Sequence, residues 1–122
     1  MATVDITVLE KRSAANAIES ANELLGLTYT GIAEALGVHR QTVFRYRKLK
    51  SVPSAEVKDR LAKIREISFL LNEVFVDRDA QLKWLYGPVP MLRDRRPIDL
   101  IRKGKLDDVI SVLADHYSGA FT

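Results

Sequence analysis

With 122 residues, 47% of them hydrophobic, the chain has the size of one compact domain or two small ones and enough apolar material for a sizeable core. It has no Cys, which removes disulfides, thiolate zinc sites, iron–sulfur clusters and cysteine nucleophiles together. No run of ~18 apolar residues occurs and Met1–Glu10 carries two acids before the first basic residue, so neither a membrane span nor a signal peptide fits and a cytoplasmic protein is expected. The net charge of +3 is mild but unevenly placed: His39–Lys50 holds five basic residues and no acid, whereas Leu106–Thr122 holds three acids and no Lys or Arg.

Gly26, Gly37, Pro53, Gly87-Pro88, Pro90, Pro97 and Gly104 punctuate the chain into segments whose apolar spacing is helical, which predicts an all-α fold. The exception is Ala2–Leu9, where Val4, Ile6 and Val8 alternate with polar neighbours. Residues 1–12 are therefore expected to be an N-terminal tail or an edge strand. Ser13 is placed to cap a helix running to Leu25, and Thr28 to cap a short helix from Tyr29 to Leu36. A third helix follows from Arg40 to Leu49.

Tyr29–Tyr46 has the residue sizes a helix-turn-helix needs. Ala33 is small at the crossing, Gly37 supplies the positive φ of a tight turn, Val38 fills the corner, and Ile32, Leu36, Val43 and Tyr46 face inward. The same geometry turns Arg40, Gln41, Arg45 and Lys48 outward, side chains suited to guanine, adenine and phosphate in a major groove. With Thr28 and Thr42 they form the predicted contact set for double-stranded operator DNA. Phe44 either touches a thymine methyl or packs on the protein, and His39 is a helix cap or a phosphate neighbour. Residues 13–52 are thus expected to be the DNA-binding domain.

Ser51–Ser54 reads as a linker, with Ser54 capping a long helix from Ala55 to about Val76. Its second half is apolar nearly all round, so Ile67, Phe69, Leu70, Val74 and Phe75 form a predicted homodimer seam. A dimer is expected because one short recognition helix covers too few base pairs. Asp77 can cap a helix through Trp84. Pro97 can open one through Arg102, and a final amphipathic helix spans Leu106–Ser118 with Leu106, Val109, Ile110, Leu113 and Tyr117 on its apolar face. Two His, no glycine-rich phosphate loop and no metal-ligand spacing give no catalytic constellation; no enzyme, metal or cofactor is expected.

From these residues the chain is identified as resembling a known family. The helix-turn-helix is similar to that of Xre-type regulators. Trp84–Gly104, with Arg96-Pro97-Ile98-Asp99-Leu100 as its distinctive part, resembles the toxin-binding domain of the Xre/MbcA/ParS antitoxins. The resemblance covers about Leu24–Thr122, with Tyr29 where many helix-turn-helix proteins carry Gln. It implies a type II antitoxin that represses its own operon and inhibits a RES-domain toxin that consumes NAD⁺ or uses it for ADP-ribosylation. Residues 53–122 are then the helical toxin-binding and dimerisation domain, with Met91, Arg93, Arg96, Asp115, Gly119, Phe121 and Thr122 as the expected toxin contacts. Phe121 and the terminal carboxylate are placed to imitate parts of a dinucleotide. Arg96, Pro97 and Asp99 serve either as a capping unit or as direct toxin contacts, and Trp84 is expected in the core. The alternative class is a stand-alone regulator whose C-terminal domain dimerises or senses a ligand.

Overall fold

The computed structural model describes residues 5–119, and these form seven α-helices and one 3₁₀ turn without a β-sheet. The all-α expectation holds. The start of the chain differs from it: Asp5, not Ser13, caps the first helix by accepting the Thr7 N–H at 2.9 Å, and α1 runs Ile6–Leu24. Ile6 and Val8 thus lie on a helix rather than in a tail or strand, because their brief alternation competes with a longer helical register. That register continues through Ala14, Ala17, Ile18 and Ala21, which are buried and mostly small, so α1 sits close against its neighbours. Residues 2–4 of the expected strand lie outside the described residues.

Helices α2 (Tyr29–Leu36), α3 (Arg40–Arg47) and α1 pack on one another. The long helix α4 (Ala55–Val74) then crosses beneath them. The near-continuous apolar surface of α4 is covered from two sides, by α1 and by α7 (Leu106–Tyr117). Burying Leu61, Ile64, Ile67 and Leu71 there contributes about 1.5–3 kcal/mol each. Val112 rather than Tyr117 completes the buried face of α7, and Tyr117 is 58% exposed. The short α5 (Arg78–Tyr86) and α6 (Pro97–Arg102) close the remaining side.

The buried side chains before and after Ser51–Ser54 form one cluster. Polar contacts also cross from one half to the other, where they satisfy the carbonyls that helix ends leave open. Arg78 Nη1 and Nη2 donate to the Leu24 and Glu23 carbonyls (2.5 and 3.0 Å), Tyr86 Oη donates to Leu25 O (3.0 Å), and Arg60 Nη1 donates to Leu36 O (2.6 Å). The connection itself is pinned: Pro53 is buried, Ser51 Oγ accepts from Arg45 Nε at 3.1 Å, and Ser54 caps α4. No helix among the described residues is long and apolar enough to cross a membrane.

Candidate functional site

The turn between α2 and α3 is built as the residue sizes require. Thr28 Oγ1 accepts the Gly31 N–H at 3.0 Å to start α2, and Gly37 ends it at φ 71°, a left-handed conformation open to glycine at no steric cost. Val43 and Tyr46 are buried, and burial raises the Tyr46 pKa. Arg40, Gln41, Arg45 and Lys48 therefore stand exposed and Thr42 half-buried. Two of the expected contacts have intramolecular hydrogen-bond partners: the Thr28 hydroxyl caps α2, and Arg45 reaches Ser51. His39 occupies the N-cap position of α3 without a side-chain capping bond.

Phe44 packs on the protein rather than standing free: its ring lies 5.1 Å from that of Tyr29. The Arg40 guanidinium lies 5.3 Å from the Phe44 centroid and that of Arg47 5.2 Å from the Tyr29 centroid. Arg47 is the residue that the outward stripe of α3 did not reveal. Its signal is the second row Arg40, Phe44 and Arg47 at i, i+4 and i+7, which meets Tyr29 across the turn.

In the second half of the chain, Val89 and Arg95 bridge a short loop around the 3₁₀ turn Pro90–Leu92. Arg93 and Asp94 in this loop have φ of 59° and 61°, sparsely populated for side-chain-bearing residues. Met91 is 58% exposed at its tip. A groove of about 440 Å³ runs between this loop and α7, bringing Met91 and Arg93 beside Arg95, Lys105, Asp108 and Ser111. Arg96 donates from Nε and Nη2 to both carboxylate oxygens of Asp99, each at 2.8 Å, and this bond holds the Asp99 carboxyl below the usual range. The pair thus ties the first turn of α6 to the residue before it. Trp84 is half-buried against Phe75, 5.8 Å between rings. Asp115 is exposed on α7 and Gly119 half-buried after it, while Phe121 and Thr122 lie outside the described residues.

The predicted dimer seam is split. Ile67 and Leu70 are buried in the chain's own core, where α7 and α1 cover α4, and are corrected to core residues. Phe69 is 56% exposed, and Val74 and Phe75 are half-buried at the core's edge.

The architecture defines a class, a helix-turn-helix protein whose second half is a small helical unit, and known families match each half. A homeodomain-like domain matches residues 7–50, and the antitoxin Xre/MbcA/ParS C-terminal toxin-binding domain matches residues 70–119. The mycobacterial cidal antitoxin MbcA of Mycobacterium tuberculosis is 30% identical over 107 residues, 88% of this chain and 94% of the relative. The probable mycobacterial cidal antitoxin Rv3188 of the same organism is 29% identical over 113 residues, 93% of this chain and 96% of the relative. The crystal structure of the M. tuberculosis MbcT–MbcA toxin–antitoxin complex contains a chain that superposes with a TM-score of 0.65 at 30% identity, covering 88% of this chain and 96% of that one. The chain belongs to the Xre/MbcA/ParS antitoxin family, in which it is similar to MbcA along most of its length.

Proposed function

We propose that this chain binds and inhibits a RES-domain toxin that consumes NAD⁺, and that as a homodimer it binds operator DNA to repress its own operon. The observation that carries the toxin reading is the likeness to MbcA over 88% of the chain, MbcA being the antitoxin partner in a solved complex with MbcT. The groove beside Met91 and Arg93 and the acidic face of α7 support it: exposed charges of both signs around an apolar tip give a partner both an anchor and an orientation. The expected contacts are Met91, Arg93, Arg96, Asp115, Gly119, Phe121 and Thr122, with the C-terminal segment entering the toxin's active site.

Coexpression with the product of the adjacent gene tests the proposal. The full chain should copurify with that product and relieve its toxicity, and deleting residues 119–122 should restore growth arrest while helical content is kept. Full protection by the shortened chain moves inhibition to the Met91–Arg96 surface. A harmless neighbour that does not copurify leaves a stand-alone regulator. For the DNA half, the exposed row Gln41, Arg45 and Lys48 beside Arg40, on a helix without acids, supports groove binding. For the dimer, Phe69 is the exposed member of the seam. Phe69→Glu should leave the melting temperature unchanged and shift sedimentation at tens of micromolar from dimer to monomer. An unshifted dimer places the seam elsewhere.

A further inference from the structure

The surface of α3 carries two outward rows. Gln41, Arg45 and Lys48 stand on its crest, and Arg40, Phe44 and Arg47 on the flank that meets the start of α2. On that flank two rings, tilted 55° to one another, and two guanidinium groups form a continuous chain of contacts. Arg40 lies over Phe44, Phe44 lies against Tyr29, and Arg47 lies over Tyr29, every centroid distance falling between 5.1 and 5.3 Å. Neither arginine belongs to an ion pair among the described residues: the segment from His39 to Lys50 contains no acid, and Glu19 of α1, which lines a groove with Arg47, forms no ion pair with it. A guanidinium lying on an aromatic face uses its π surface there and keeps its N–H donors, which point from its edge, for an acceptor.

We infer that Tyr29 and Phe44 are positioning residues that hold Arg47 and Arg40 ready for the DNA phosphate backbone, and that Arg47 is a phosphate contact. The inference rests on the DNA-binding reading and extends it. The first helix of a helix-turn-helix crosses the backbone while the second enters the groove, so the flank of α3 nearest α2 faces phosphates and the crest faces bases. An arginine free in solution loses rotamer freedom when it docks. One already laid over a ring loses less, so the ring raises affinity without touching the nucleic acid. The tyrosine at position 29, where many relatives of this motif carry Gln, then has a physical role as half of a platform.

The test uses the full chain and two labelled duplexes of equal length, one from the promoter upstream of its own gene and one scrambled, each titrated across a range of salt. Arg47→Ala should weaken both duplexes alike and lower the slope of log affinity against log salt by about one. Tyr29→Leu should weaken both by about two- to fivefold with their ratio unchanged, Tyr29→Phe should bind like the native chain, and the Tyr29→Leu/Arg47→Ala pair should be no worse than Arg47→Ala alone. Native affinity in Tyr29→Leu, additive losses in the double variant, or failure of Tyr29→Phe to preserve binding overturns the inference; the last outcome assigns the phenol hydroxyl a contact of its own. If Tyr29→Leu loses its helical signal, Arg47→Ala decides, since that side chain is exposed: unchanged binding and slope overturn the phosphate contact. A native chain that binds neither duplex overturns the DNA-binding reading, whereas a native chain that binds while these variants match it overturns this inference alone.

Discussion

Gln81 shows how a polar side chain is kept inside this core. Its amide nitrogen donates to Asn72 Oδ1 at 2.9 Å and to the Phe75 carbonyl at 2.8 Å, and its oxygen accepts from Arg78. It thereby fixes the bend between α4 and α5. Gln81→Leu keeps the volume and strands the Phe75 carbonyl, so chemical denaturation should show a loss of about 1–3 kcal/mol. The Arg96–Asp99 pair sits nearer to water, and its effect is read through pH. Its arginine depresses the native carboxyl pKa, so the pair stabilises the fold above the ordinary Asp value of ~3.9 and loses that contribution as pH falls through the lower native value. The native chain should therefore be more stable than Asp99→Asn at neutral pH, and thermal melts of the two should converge towards the acid end. A gap that widens in acid contradicts the assignment.

At the scale of elements, what could be read in the sequence is what local chemistry dictates. Thr28, Ser54 and Asp77 cap the helices they were expected to cap, and Pro97 opens α6. Gly37 makes the turn at φ 71°, where an added Cβ falls 2.7 Å from Arg60 Nη1, the same group that satisfies the Leu36 carbonyl. Gly37→Ala should therefore cost about 1–2 kcal/mol in backbone strain, measurable by denaturant titration, and more if Arg60 is displaced from its carbonyl. The features that could not be read depend on which segments meet. The start of α1 was masked by a short alternation that happens to fit both periods. The seam on α4 was overdrawn because an apolar run does not say how many neighbours cover it, and α1 and α7 hide Ile67 and Leu70. The stack on Tyr29 joins residues on two helices, a pairing that appears only once the turn brings them together.

At the scale of the whole molecule, the helix-turn-helix half and the half matched by the toxin-binding domain share one apolar cluster, and the second half supplies donors to carbonyls of the first. Cooperative unfolding follows from such a design. Far-ultraviolet circular dichroism, which follows all helices, and the fluorescence of Trp84, which lies only in the second half, should report the same melting midpoint. Separate midpoints contradict a shared core. A fragment ending before α4 should lack a cooperative melt, because it exposes the surface of α1 that α4 covers.

The pinned connection at Ser51–Ser54 bears on how long the protein lasts in a cell. Cleavage by a protease needs a stretch of chain that opens locally. Here the joint between the halves is held by a buried proline, an arginine and a helix cap. Clipping there requires these contacts to open first, which disfavours fragments that keep one proposed task and have lost the other. Under the proposed function, repression and neutralisation are then withdrawn in step: each molecule destroyed subtracts equally from both, and a single lifetime sets the dose of the two.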